Sequence, residues 1–281
     1  MRHPEWIKVN LTGMRGTKKI LRQHGVSTVC EEARCPNQGK CFSTGTATFM
    51  ILGDRCTRNC SFCAVESLVP LPVDPDEPGN VARAAADLGL RFVVITSVTR
   101  DDLPDGGAGH FANTIQALRK SNNDLKIEVL TPDFQGNDEA LETVLNAKPD
   151  VFNHNIETVP RLYPSVRPMA DYHTSLSLLK TAWAMYPELR IKSGLMVGLG
   201  EKKDEVWSVM SDLREAGCDV LTIGQYLQPR KSNIPVSEYI RPEVFEQYRM
   251  HALDIGFKAV ASSPLTRSSL DAGQLFEKEL N

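Results

Sequence analysis

The chain has 281 residues, 41% of them hydrophobic and 24% charged, enough to bury a sizeable core as one large domain or two small ones. Its net charge of −3 supplies no global basic field of the kind that attracts nucleic acid. No apolar run approaches the roughly 18 residues of a membrane span, and Met1-Arg2-His3-Pro4-Glu5-Trp6-Ile7 lacks the apolar core of a secretory leader, so no membrane partner is expected and a cytoplasmic, thiol-reducing location is.

Residues 1–45 show no clear periodicity and read as an N-terminal extension. A rhythm then begins. Short apolar, β-branched runs suit strands buried on both faces of a parallel sheet: Ala47–Gly53, Arg91–Ser97, Lys126–Thr131, Val151–Glu157, Ile191–Gly198, Asp219–Tyr226 and Phe257–Ser262. Helices are predicted between them: Asn80–Leu88, His110–Ser121, Asp138–Ala147, Tyr172–Tyr186, Asp204–Ala216 and Pro242–Ile255. In the fifth, Val206, Val209, Met210 and Leu213 share one stripe. The alternation predicts right-handed βα units in an α/β fold, spanning 46–262, with 263–281 as a C-terminal tail. Closed, partly open and doubly wound sheets all fit. Pro70, Pro72, Pro75 and Pro78 mark a rigid loop.

Six of the seven cysteines fall between Cys30 and Cys63. Cys30, Cys35 and Cys41 are spaced C-x4-C-x5-C. Cys56, Cys60 and Cys63 are spaced C-x3-C-x2-C, just after the first predicted strand. Crowded cysteines in a reducing compartment read as metal ligands or redox groups. Structural zinc prefers four ligands, and electron-transfer [4Fe–4S] clusters normally use four cysteines. Three leave one iron open to a substrate or cofactor.

The segment Gly53-Asp54-Arg55-Cys56-Thr57-Arg58-Asn59-Cys60-Ser61-Phe62-Cys63 resembles the radical S-adenosylmethionine (radical SAM) superfamily. The resemblance implies a partial (βα)6-type barrel. It also implies a [4Fe–4S] cluster on Cys56, Cys60 and Cys63 that binds S-adenosylmethionine and cleaves it to a 5′-deoxyadenosyl radical. Phe62 would shield that cluster. The first triplet, Cys30-Glu31-Glu32-Ala33-Arg34-Cys35-Pro36-Asn37 with Cys41, resembles the auxiliary-cluster motif of lipoyl synthases. In that family the second [4Fe–4S] cluster is a sulfur source whose fourth ligand is a serine. Arg267-Ser268-Ser269 matches that motif, and Ser269 maps onto the ligand. The likeness runs from about Cys30 to Ala272 and includes Arg100-Asp101-Asp102-Leu103, Asn153-His154-Asn155-Ile156-Glu157-Thr158, Val166-Arg167-Pro168 and Gly194-Leu195-Met196-Val197-Gly198-Leu199-Gly200-Glu201. Leu270 departs from it, standing where the family usually has an aromatic residue.

What the resemblance implies is a sulfurtransferase. It inserts sulfur at carbons 6 and 8 of an octanoyl chain on a lysine of a lipoyl carrier domain, from a 2-oxoacid dehydrogenase E2 or a glycine cleavage H protein. Electrons come from a ferredoxin or flavodoxin. The competing readings are another radical sulfur-inserting enzyme of the biotin synthase type, a non-catalytic iron–sulfur protein and a zinc-binding module. A monomer is expected.

The cofactor-binding candidates are Phe62, Asp102, Asn155, Glu157, Lys192, Gly198, Gln225 and Tyr226. Asp102 is expected near the cofactor's ammonium. Glu157, ending a strand, is placed either against a ribose or in an ion pair with Arg161. Lys192, a charge inside an apolar strand, should face a polar cavity. Gly194, Gly198 and Gly200 offer backbone access. Gln225 and Tyr226 could edge the adenine. His154 reads as a satisfied structural group and Cys218 as a small core residue. Gly107-x-Gly109-x-x-Ala112 mimics a dinucleotide fingerprint but does not directly follow a strand, and is rejected.

Overall fold

A computed structural model describes residues 4–7, 15–43 and 47–278. The chain divides into two compact units, one of 9–58 with 64–152 and the other of 1–8 with 59–63 and 153–281.

The first unit holds helix α1 (Arg15–His24), strand β1 (Ser27–Thr28), helices α2 (Val29–Glu32) and α3 (Gln38–Ser43), and strand β2 (Thr48–Ile51). Next come β3 (Arg55–Cys56), β4 (Glu66–Ser67), α4 (Glu77–Asp87), β5 (Phe92–Ser97), α5 (Ala108–Ser121), β6 (Lys126–Leu130) and α6 (Asp138–Asn146). The chain passes to the other unit within β7 (Val151–Asn153). There follow α7 (Tyr163–Val166), α8 (Tyr172–Met185), β8 (Arg190–Val197), α9 (Lys203–Glu215), β9 (Val220–Gln225), α10 (Pro242–Asp254), β10 (Ala259–Ser263) and α11 (Ala272–Lys278).

In the first unit β2, β5 and β6 run parallel, with Thr48 opposite Val94 and Phe92 opposite Lys126. In the second, β8, β9 and β10 run parallel, with Lys192 opposite Val220 and Ala259 opposite Val220. Every residue of β2 and of β9 is buried, which is why these strands read as unbroken apolar runs. The stripe predicted on α9 is the buried one: Val206, Val209, Met210 and Leu213.

Three differences from the sequence reading have local causes. Residues 15–43 are not featureless: β1 pairs antiparallel with β2, and α1–α3 are too short for periodicity to register. Pro78 belongs to the first turn of α4 rather than to a loop, a place that tolerates its missing N–H. The strand expected to reach Glu157 stops at Asn153. There the Ser193 hydroxyl enters the ladder, donating to the His154 carbonyl at 2.8 Å and accepting from Ile156 N at 3.2 Å.

Candidate functional site

The auxiliary triplet is built by short elements. Thr28 caps α2, accepting from Glu31 N at 3.4 Å. After α2 the backbone turns through Arg34 at φ 50°, and Cys35 N returns to the Cys30 carbonyl at 3.0 Å. That turn uses the four residues between the first two cysteines. Cys41 N bonds Asn37 O at 3.0 Å on α3. Burial, the nearby Cys35 thiol and the Cys41 thiol push the Cys30 thiol up to about 12, against hydrogen bonding from Thr48. Cys30 is thus buried within reach of the other two thiols, which are half-buried. Among the described residues no three His, Cys, Asp or Glu converge as they would on a single ion. Three thiolates leave one iron of a four-iron cluster open, whereas structural zinc prefers four protein ligands.

The second triplet follows β2. Leu52 and Gly53 both take positive φ, 67° and 90°, and turn the chain out of the strand. Leu52 N donates to Glu77 Oε2 at 2.7 Å, which also meets His110 Nε2 at 2.7 Å. Cys56 Sγ accepts from two backbone N–H groups, Thr99 at 3.3 Å and Arg58 at 3.4 Å. Cys63 N bonds Cys60 O at 3.1 Å. Asn233 Nδ2 holds that turn through the carbonyls of Ser61 at 3.1 Å and Cys63 at 2.7 Å. Phe62 packs on a cluster of Val166, Leu199 and Tyr226, and the Tyr226 hydroxyl donates to Ile234 O at 2.7 Å.

The remaining candidates are placed as follows. Glu157 sits at φ 66°, a strained conformation for a non-glycine residue. Glu157 N to Gly194 O at 3.0 Å and Met196 N to Glu157 O at 2.9 Å hold it beside β8. Asn155 Nδ2 donates to Glu157 Oε1 at 3.1 Å. Burial raises the Glu157 pKa, opposed by Arg167, by the Asn155 bond and by Arg267. Its expected alternative partner, Arg161, pairs with Glu205 at 2.7 Å. Asp102 is engaged by Arg100 at 2.8 Å, which holds its carboxyl below the usual range. Lys192 is 2% exposed.

Gln225 is spent on the main chain. Its Nε2 reaches the carbonyls of Val197, Tyr226 and Glu238 at 3.2, 3.1 and 2.9 Å, and its Oε1 accepts from Ile240 N at 2.8 Å. Its amide therefore pins the 226–240 segment to β9. Gly198, at φ 96°, has no room for a Cβ, which would collide with Gln225 Nε2 and the Glu238 carbonyl. His154 Nε2 meets Ser175 Oγ at 3.0 Å in the core. Gly107 and Gly109 direct their N–H groups at the Asp105 carboxylate, at 2.9 and 2.8 Å, so an internal anion stands where a fingerprint would bind phosphate.

Arg58 and Asp101 enter the sequence analysis only as members of motifs, and Asp133 not at all. Arg58 Nε and Nη2 bond Asp101 at 2.8 and 2.9 Å, and Nη1 and Nη2 bond Asp133 at 2.7 and 2.6 Å. The legible signal was a charged residue just beyond β6, at the strand end where α/β chemistry collects. Glu201 was quoted only as part of a motif; its carboxylate accepts from Gly198 N at 2.6 Å and Leu199 N at 2.9 Å.

Residues 50–213 match the model of the radical SAM superfamily. The fold agrees. Methylornithine synthase superposes with a TM-score of 0.55 at 13% identity, over 86% of this chain and 70% of that one. A maturase of the [FeFe]-hydrogenase superposes with 0.59 at 12% identity, over 75% and 50%. The cysteine loop after the first parallel strand thus lies in a radical SAM protein.

The relatives in sequence are narrower in kind. Lipoyl synthase of Alkaliphilus metalliredigens is 56% identical over 280 residues, 99% of this chain and 97% of that protein. Lipoyl synthase of Caldanaerobacter subterraneus subsp. tengcongensis is 56% identical over 274 residues, 97% and 96%. The chain belongs to the lipoyl synthase family.

Proposed function

We propose that the chain catalyses sulfur insertion at carbons 6 and 8 of an octanoyl group carried on a protein lysine. It acts as a radical sulfurtransferase of the lipoyl synthase type. The observation that carries this reading over other radical SAM chemistry is the first triplet. Cys35 N returns to the Cys30 carbonyl at 3.0 Å and Cys41 follows on α3, so one short segment carries three thiols, on a chain 56% identical to a lipoyl synthase.

Cys56, Cys60 and Cys63 would hold one [4Fe–4S] cluster, and Cys30, Cys35, Cys41 and Ser269 the other. When bound, the first supplies the electron that cleaves S-adenosylmethionine to a radical, and the second supplies sulfur. The chain's own residues do the rest. The N–H groups of Arg58 and Thr99 support the Cys56 sulfur. Phe62, Tyr226 and their neighbours wall off water, which matters because a carbon radical must be kept from stray hydrogen donors. Glu157 would accept from a ribose, with Asn155 orienting it, and Gly198 would admit the cofactor backbone-close. Lys192 and Asp102 are assigned to polar parts of the cofactor. Ser269 offers oxygen, a harder and weaker partner for iron than thiolate, which suits a cluster that is dismantled.

The substrate is a lipoyl carrier protein, and an E2 or H-protein domain fits best. A ferredoxin or flavodoxin would deliver electrons. Cytoplasmic residence fits six cysteines crowded between Cys30 and Cys63 that must stay reduced to bind iron; among the described residues no helix is long and apolar enough to cross a membrane. The test is anaerobic turnover of the reconstituted protein with an octanoylated carrier peptide and S-adenosylmethionine. A lipoylated peptide with consumption of the cofactor supports the reading. Cofactor cleavage with no sulfur in the peptide would leave a radical enzyme of another substrate.

A further inference from the structure

Arg58 stands between two cysteines of the radical-cluster motif, and its guanidinium is buried at 6% side-chain exposure. It makes four bonds to two carboxylates, all between 2.6 and 2.9 Å. Asp133 is likewise buried, at 3%, while Asp101 keeps 20%. Burying such a group is a costly way to stabilise a fold, since apolar residues of similar volume often do as well or better. What a buried fork does supply is fixed geometry, because guanidinium and carboxylate match in plane and spacing.

The geometry fixed here is that of the Cys56 loop. Cys56-Thr57-Arg58 is laced to Thr99-Arg100-Asp101 along its length. Thr99 N donates to Cys56 Sγ at 3.3 Å, Thr57 N to Thr99 O at 3.0 Å and Asp101 N to Thr57 Oγ1 at 3.1 Å. The Thr57 hydroxyl lies 3.0 Å from Thr99 O and 3.2 Å from Asp101 Oδ2. Arg58 closes the lacing on Asp101 and ties it to Asp133 beyond β6. Its own N–H then points at Cys56 Sγ at 3.4 Å. One guanidinium with two carboxylates leaves one net negative charge on the triad, whose central residue also reaches that sulfur through its backbone N–H.

We propose that Arg58, clamped by Asp101 and Asp133, is a positioning residue that aims two N–H groups at Cys56 and sets the charge beside it, tuning how readily the group held by Cys56 is reduced. The inference rests on the reading that Cys56 is a ligand of the S-adenosylmethionine-binding cluster. Net negative charge nearby disfavours the extra electron, whereas N–H donors to sulfur favour it. Neutralising one carboxylate while keeping its shape should therefore ease reduction.

The test uses the reconstituted full chain, poised at a series of potentials and read by electron paramagnetic resonance. The signal followed is the one that changes when S-adenosylmethionine is added. Asp101→Asn and Asp133→Asn should keep wild-type iron content, move the midpoint of that signal to a more positive potential, and raise the reduced fraction several-fold at a fixed poise. Asp101 is the less buried partner, so Asp101→Asn decides alone if Asp133→Asn does not fold. A midpoint unchanged with iron intact would overturn the proposal and leave the triad as support for the fold. Cys56→Ala is the control for the underlying reading. If it retains the cofactor-responsive signal, Cys56 is not a ligand and both fail.

Discussion

The Ser268 hydroxyl donates to Asn155 Oδ1 at 2.8 Å, and the same Asn155 amide donates to Glu157 Oε1 at 3.1 Å. The residue before the proposed serine ligand is thereby joined, through one side chain, to the carboxylate assigned to the cofactor. Gly194 makes room for the join: a Cβ there would lie 2.9 Å from Asn155 Oδ1 and 3.0 Å from Ser268 Oγ. Ser268→Ala should cost only about 1 kcal/mol of stability, as one net hydrogen bond does. Sulfur insertion should fall further than cofactor cleavage, with Ser268→Thr intermediate. Equal loss of both in turnover assays would mean the join does not place the tail.

Glu157 carries a pH prediction. Its pKa is raised in the folded protein, chiefly by burial, so the folded state holds its proton more tightly than the unfolded one. The ionised form therefore costs stability. That cost is absent at low pH and grows as pH rises above the ordinary glutamate value of 4.5. Glu157→Gln should be at least as stable as wild type at neutral pH and equal to it in acid, while binding S-adenosylmethionine more weakly. Parallel melts across pH, with a binding titration, check both halves. A variant less stable at neutral pH removes the argument.

Gly198 cannot carry a side chain at φ 96° beside Gln225 and Glu238. Gly198→Ala should destabilise by roughly 2 kcal/mol or more and weaken cofactor binding. Thermal unfolding and equilibrium binding measure this. Full retention of both would exclude close backbone approach at this loop.

Phe62 leans on Val166, Leu199 and Tyr226 without being fully buried. Phe62→Ala should cost about 1–3 kcal/mol, less than a fully buried phenylalanine. It should also uncouple the reaction, with more 5′-deoxyadenosine formed per product as water gains access. An unchanged ratio in product analysis would show that Phe62 packs without shielding.

How much of this was legible in the sequence depended on which force set each element. The buried parallel strands and α9 were legible because apolar burial writes itself as runs and stripes. Helices α1–α3 were not, since their placement depends on caps and turns such as Thr28 and Arg34. The cysteine spacing pointed to both proposed cluster motifs. It could not reveal that Gln225 serves the backbone, that Asp102 pairs with Arg100, or that Arg58 gathers two aspartates about 40 and 75 residues away. Those facts depend on which side chains meet in space, and one sequence does not encode that as a pattern.

The central claim is a division of labour between two cysteine triplets, and the most direct measurement counts iron and products together. Wild type and Cys30→Ala/Cys35→Ala/Cys41→Ala would be reconstituted anaerobically, analysed for iron and sulfide, and assayed for 5′-deoxyadenosine and for sulfur in an octanoylated carrier peptide. The account predicts about eight irons in wild type and about four in the variant, as two four-iron clusters require, with the variant still forming 5′-deoxyadenosine but inserting no sulfur. A wild type with a single cluster, or a variant that still inserts sulfur, would contradict it.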